Sequence, residues 1–210
     1  MTYGEEQLEH IEQNERKILD SGERRQFDSG AVRDIQEGKG RCDLLPLDIV
    51  GELINVYHID ENKIHSIEGD VNDILKYIYN YIRTGNTGDI INAIGLFIEI
   101  SEFNTIPMAI LEVSKHYEEG AKKYAERNWE KGISAHCYVD SGVRHLLKWL
   151  DGWDDEPHDR AFIWNMLGLL WTVKHRPECN DLPYALSQKE ASEAEDKEWG
   201  SVEERLDLLE

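Results

Sequence analysis

The chain predicts an all-α fold, on three observations. Apolar residues recur at helical spacing in successive segments between residues 47 and 174. No stretch sustains the period-two alternation of a half-buried strand. Gly, Pro and capping residues punctuate the helical segments where a helix begins or ends. The expected architecture is a helical bundle with an inserted helical block at 47–106 and a polar, acidic tail at 178–210. A charged N-terminal helix occupies 1–27, and segments 28–46 and 107–177 form the core.

Residues 5–20 suit a short charged helix with Leu8, Ile11 and Leu19 on a thin apolar stripe, ended by Ser21-Gly22. Residues 28–46 hold three glycines without a clean period and read as a loop-rich segment. Leu47 to Tyr57 is the next helix. Asp70 caps another, in which Val71, Ile74, Leu75, Ile78 and Ile82 keep the helical period and Gly85 ends it. Residues 89–103 form a strongly apolar third helix of the block. Pro107 suits a first helical turn, since its missing N–H costs nothing there; that helix runs to about Arg127 and breaks at Asn128-Trp129 and Gly132. Helices at 137–150 and 157–174 follow, joined by an acidic turn from Asp151 to Pro157. Pro177 lies beyond the last of them, and the remaining tail is at best a loosely attached helix.

Composition narrows the function classes. The 210 residues carry 23 Lys+Arg against 43 Asp+Glu, a formal net charge of -20. Such a surface is poorly suited to a nucleic-acid backbone or an anionic membrane, but local charge can still hold a small phosphorylated ligand. Ala185 to Glu210 alone has nine acidic and three basic residues. Cys42, Cys137 and Cys179 are odd in number and lack a CxxC pair, which argues against a disulfide framework and for reduced thiols. No signal peptide or membrane span is evident. A soluble, cytoplasmic protein is expected.

The chemistry concentrates between Glu112 and Asn165. Glu112, His116, Glu119 and Lys123 stand at i, i+4, i+7 and i+11 and share one helical face. The face is either solvated or two carboxylates and an imidazole turned to a metal. The segment from Phe162 to Val173 is apolar around most of its circumference, as buried helices are. One stripe of it, however, is polar or small: His158, Ala161, Asn165, Gly168 and Thr172. This stripe reads equally as close helix packing or as a pocket wall. Tyr138, Gly142, His145 and Trp149 make a similar stripe on the preceding helix, so the two suggest a shared cleft. Asp151, Asp154, Asp155 and Glu156 sit in the turn, as favourable helix-start charges or as metal ligands. His158-Asp159 spells the HD pair of HD phosphohydrolases, a two-letter signal. Arg33, Lys39 and Arg41 surround Gly38 and Gly40 in a segment that could hold a polyphosphate. It could also be a surface loop tied down by ion pairs; no Walker A motif is present. Lys122, Lys123, Asn128 and Trp129 are further candidates for phosphate and base contacts, with Trp129 either stacking on a base or anchoring the fold.

Three strings together carry a resemblance: SGAVRDIQEGKGRCDLLP at 29–46, EEGAKKYAERNWEKG at 118–132 and RHLLKWLDGWDDEPHDRAFIWN at 144–165. They resemble, in order, the phage dATP/dGTP diphosphohydrolase family, whose function is akin to that of MazG-like nucleotide pyrophosphohydrolases. Two positions depart from the family pattern: Ala161 where a second His is usual, and Asp159 where an apolar residue is usual. The EExxE…ExxD signature of MazG-type enzymes is also absent; Glu112, Glu118 and Glu119 are its nearest equivalents.

The resemblance implies an all-α, metal-dependent enzyme that hydrolyses a purine deoxynucleoside triphosphate, dGTP or dATP, to the monophosphate and pyrophosphate, with Mg²⁺ or Mn²⁺ as cofactor. It implies Glu112, Glu119 and Asp155 as metal ligands, with Glu112, Glu119, His145 and His158 catalytic; the HD pair adds Asp159 as a further candidate ligand. Arg33, Lys39, Arg41, Lys123, Asn128, Trp129, Arg144 and Asn165 would hold the nucleotide. A homo-oligomer in a host cytoplasm is implied, with a small-molecule nucleotide as partner and neither a nucleic-acid polymer nor a membrane. The rival readings are a nucleotide-sequestering protein without turnover, an HD-type phosphohydrolase, and a helical interaction protein using its acidic tail.

Overall fold

The computed structural model describes residues 22–35, 37–57 and 66–199. The helix expected over 5–20 lies outside them. Two units separate, one ending at Glu37 and the other beginning at Gly38. In the first, β1 (Arg24–Gln26) pairs antiparallel with β2 (Val32–Asp34), Arg25 opposite Arg33. The sequence reading had a charged helix to residue 27 and only loop from residue 28; Arg24–Gln26 are instead strand. Phe27 N–H donates to Ala31 O at 2.9 Å and Gly30, at φ 85°, closes the turn. Strands of three exposed residues are too short to show a period, so the hairpin is written only in its turn.

The second unit is helical, as expected. Its described helices are α1 (Leu47–Val56), α2 (Ile67–Thr84), α3 (Thr87–Ile100), α4 (Ile106–Tyr124), α5 (Ala135–Leu150), α6 (His158–His175) and α7 (Pro183–Trp199). Short 3₁₀ turns lie at Cys42–Leu44, Asn128–Lys131 and Pro177–Cys179. No helix among the described residues is long and apolar enough to cross a membrane.

Local chemistry sets the ends. α2 starts three residues before Asp70; from the first turn, the Asp70 carboxylate accepts the Ser66 N–H at 3.0 Å. Gly85 ends α2 in the left-handed conformation, as expected. Asn86 caps α3 and Thr105 caps α4, each a feature worth about 1 kcal/mol. α4 stops at Tyr124 rather than Arg127. Ala125 and Arg127 take φ values of 92° and 52°, which turn the chain sharply into the Asn128–Lys131 segment. Such conformations cost about 1–3 kcal/mol each and persist only where the surroundings enforce them.

α6 is the central helix. Phe162, Ile163, Met166, Leu167 and Leu169 are fully buried on it, and α5 is its principal neighbour, with α3, α4 and α1 also packing against it. Phe97 of α3 lies 4.6 Å from the Phe162 ring and 5.0 Å from that of Trp149, centroid to centroid, so helices of the 47–106 block share this core. The small residues of the two stripes explain how closely α5 and α6 approach. A Cβ on Gly142 would meet Met166 Cε at 2.4 Å, and one on Gly168 would meet the Tyr138 ring at 2.5 Å. α7 begins where a loose tail was expected. Leu182 is buried, and Asn180 donates to the Tyr184 hydroxyl at 2.7 Å. The Tyr184 ring meets Tyr81 edge-on. Beyond Tyr184 and Ala185, the residues to Glu193 are exposed.

Candidate functional site

A cleft of about 590 Å³ opens between α4, the Asn128–Lys131 turn, α5 and α6. That is a normal volume for a small-ligand site. α4 contributes His116, Glu119 and Lys123, three of the four residues expected to share a face. Glu112, the fourth, is not among the lining residues and is bonded to Lys115. The strained turn brings Arg127, Asn128 and Trp129 to the wall, α5 brings Ser141 and His145, and α6 brings Trp164 and Asn165. Glu156, from the acidic turn, completes the rim.

Buried polar atoms without protein partners gather here. His116, Tyr117 and Trp129 line the cleft as residues, while His116 Nδ1, the Tyr117 hydroxyl and Trp129 Nε1 are themselves buried in its wall and have no hydrogen-bond partner among the described residues. An unmatched buried polar group costs roughly 1–3 kcal/mol, so this wall carries a polar cost. Burial pushes the His116 imidazole below its ordinary pKa, with Glu119 opposing, and so favours the neutral ring. Trp129 packs edge-on against Tyr117 and Trp171, so the anchoring role holds while the residue also forms wall. Asn165 donates to Ala161 O at 2.8 Å, which fixes its amide in the cleft.

A second polar group adjoins the first. His145 Nδ1 lies 2.9 Å from His158 Nδ1, and His158 Nε2 lies 2.8 Å from Asp155 Oδ1. Because a carboxylate only accepts, Nε2 of His158 carries the hydrogen and donates to Asp155. Glu156 Oε1 stands 3.7 Å from both Nδ1 atoms. The His158 side chain is 1% exposed, so its ring is fixed. Lys148 holds the other Asp155 oxygen at 2.9 Å. The bonds from Lys148 and His158 hold the Asp155 carboxyl below its ordinary pKa. Burial lowers the His145 pKa, Glu156 opposing.

The four expected metal ligands are not gathered. Glu119 faces the cleft with Arg160 3.7 Å away. Asp155 is engaged by Lys148 and His158. Asp159 accepts from the Arg160 backbone N–H and lines a separate, more open depression. Among the described residues, one group of three donors converges: His145, Glu156 and His158. Two imidazoles and a carboxylate are a chemically sound set for a divalent ion. Asp159 stands outside that group, so the HD pair is not assembled around one ion.

The expected phosphate contacts divide in the same way. Lys123 lines the cleft. Arg41 is bonded to Asp43 and Glu126, and those bonds raise its pKa further. Arg144 pairs with Asp140, Lys39 is exposed, and Arg33 sits exposed on the hairpin of the other unit. Arg127 and Ser141 were absent from the expected site, and Glu156 was read only as one of four acidic turn residues. Nothing in the spacing singled it out from Asp151, Asp154 and Asp155, and Arg127 depends on a turn that no sequence pattern announces.

The glycine segment is anchored, not open. Gly38 N–H and Gly40 N–H each donate to Glu118 at 2.9 Å, one to each carboxylate oxygen. Gly40, at φ 82°, lies so close to α4 that a Cβ would come within 2.0 Å of Ser114 Oγ.

Residues 98–182 match the family model described as dATP/dGTP diphosphohydrolase, N-terminal. No curated protein and no solved structure gives a significant match. Of all the residues lining the cleft, only Leu44 falls outside the matched segment.

Proposed function

Taking as premise that residues 98–182 carry the dATP/dGTP diphosphohydrolase N-terminal domain, we propose that the cleft hydrolyses a purine deoxynucleoside triphosphate to the monophosphate and pyrophosphate. The observation that carries this reading is the coincidence of the matched segment with the cleft walls. The remaining residues supply what such a reaction needs. Lys123 offsets phosphate charge at the mouth, with Arg127 beside it bonded to Glu130 and the Asp43 carbonyl, in a protein whose net charge is otherwise strongly negative. Trp164, Trp129 and Tyr124 offer aromatic surface to the base, and Asn165 and Ser141 offer hydrogen bonds to its edge. His116, favoured neutral, presents Nδ1 as a donor or acceptor. His145 reaches the scissile region held by His158, which Asp155 holds in turn.

The reaction is read as metal-assisted, with Mg²⁺ or Mn²⁺ as the expected ion. His145, Glu156 and His158 would hold it. When bound, it would supply Lewis-acid charge to phosphate oxygens and lower the pKa of a coordinated water. The protein's own part is to fix the triphosphate against Lys123, to exclude bulk water with the aromatic wall, and to keep His145 in one orientation. A homo-oligomer in a cytoplasm, with 47–106 as an insertion in the family core, belongs to the same reading.

The test is to incubate the protein with dGTP and dATP in turn, with Mg²⁺ or Mn²⁺, and to separate the products. Deoxynucleoside monophosphate with pyrophosphate in equal amounts is expected. Unchanged substrate with every ion, or release of orthophosphate from an accumulating diphosphate, contradicts the proposal.

A further inference from the structure

We propose that His145, Glu156 and His158 bind one first-row transition ion, Mn²⁺, Co²⁺ or Zn²⁺, ahead of Mg²⁺. The inference rests on the nucleotide reading for what the ion does, and on geometry alone for where it sits. The three donor atoms are 2.9, 3.7 and 3.7 Å apart. Ligands about 2.1 Å from a common ion stand at such separations when they subtend angles of roughly 90° to 120°. No donor has to move far to reach that arrangement.

The two Nδ1 atoms face each other, and this decides what can lie between them. His158 Nε2–H is committed to Asp155, so Nδ1 is the atom the ring presents to His145. Two protons between the rings would repel, and two lone pairs would repel as well. One hydrogen shared between the two nitrogens, or one metal ion, satisfies both. Glu156 beside both nitrogens favours the doubly charged alternative.

The surroundings support the ion. A ligating histidine characteristically donates its other N–H to a carboxylate, which fixes the ring and strengthens the ligand. The sequence His158 to Asp155 to Lys148 is that arrangement. His158 is buried, whereas His145 and Glu156 line the cleft, so further coordination positions open toward the nucleotide. The donor set decides the class of ion. Mg²⁺ demands near-octahedral oxygen and dehydrates reluctantly. Two imidazole nitrogens with one carboxylate suit the borderline ions.

The experiment uses the full chain stripped with chelator and titrated with Co²⁺, read by visible absorption, and with Mn²⁺, read by electron paramagnetic resonance. One ion per chain is expected, with a Co²⁺ spectrum that reports nitrogen ligands. A hundredfold excess of Mg²⁺ should leave most of it in place. Glu156→Gln, a half-exposed position that does not threaten the fold, should weaken binding at least tenfold, and His158→Ala should weaken it further. Binding unchanged in both variants, or Mg²⁺ competing at equal concentration, overturns the site. The same samples are assayed for dGTP turnover, which separates the two claims. Co²⁺ and Mn²⁺ binding unchanged in both variants, with dGTP still cleaved, overturns the cation site and leaves the nucleotide reading standing. One bound Co²⁺, lost in the variants, with no deoxynucleotide cleaved, supports the site and contradicts the nucleotide reading.

Discussion

Two polar clusters, one on α4 and one between α5 and α6, look alike in sequence and differ in what completes them. Glu118 is a buried carboxylate, and its two oxygens take the Gly38 and Gly40 N–H groups, with Lys122 3.2 Å away. Protein partners complete it, and it ties the glycine segment to α4. In the His145–Glu156–His158 group, His145 and Glu156 line a cleft, in whose wall His116 Nδ1, the Tyr117 hydroxyl and Trp129 Nε1 have no partner among the described residues. A buried polar group whose bonds close within the chain is a structural tie. One whose donor atoms converge beside a cavity is placed for a ligand. Residue type does not separate the two cases; whether the donor atoms end on the chain's own N–H groups or converge on one point does.

The comparison breaks most readily at Glu118. Glu118→Ala strands two backbone N–H groups beneath α4 and should cost about 3 kcal/mol, seen as a lower urea midpoint at pH 7. Glu156→Gln should leave that midpoint unchanged while lowering kcat/KM for dGTP about a hundredfold. If Glu156→Gln instead unfolds the protein, the two clusters are not different in kind. Asp155→Asn removes the carboxylate that orients His158 and should weaken metal affinity about tenfold, measured by Co²⁺ titration.

A pH experiment sharpens the same contrast. Burial raises the Glu118 pKa, but the Gly38, Lys122 and Gly40 bonds outweigh it, so the folded value lies below the ordinary one. A carboxyl with a depressed folded pKa contributes stability that is complete above its unfolded value, about 4.3, and is lost as pH falls through the folded value. Stability measured by urea at successive pH values should therefore decline below about pH 4.5, and the decline should be shallower in Glu118→Gln. The smallest effect is expected at Glu112. Its bond to Lys115 is a half-exposed i,i+3 pair, so Glu112→Gln should change both stability and kcat/KM by less than about twofold in equilibrium or rate.

The helices were legible because each buries an apolar face whose period survives in the sequence, and because Gly85 and Pro107 mark real ends. The hairpin was not, since three-residue strands carry no period. Of the α4 face, His116, Glu119 and Lys123 line the cleft, whereas Glu112, on the same face by spacing, is absent from the cleft wall. Helical period gives an angle and says nothing about where along its length a helix meets a cleft. The polar stripe of α6 was read as either packing or wall, and it is both. Gly168 admits Tyr138, while Asn165 faces the cleft. Glu156 was one of four acidic turn residues read as possible ligands, and Asp155 was chosen over it because the partner of Glu156, His145, lies on another helix that only the folded turn between α5 and α6 brings to it.

The most direct measurement is a crystal structure with a non-hydrolysable dGTP analogue and Mn²⁺, the ion located by anomalous scattering. The account predicts one strong peak within bonding distance of His145, Glu156 and His158, with the triphosphate directed to Lys123 and the base against Trp164. A nucleotide held outside the cleft, or bound in it while these three side chains still face one another without a peak, would contradict it.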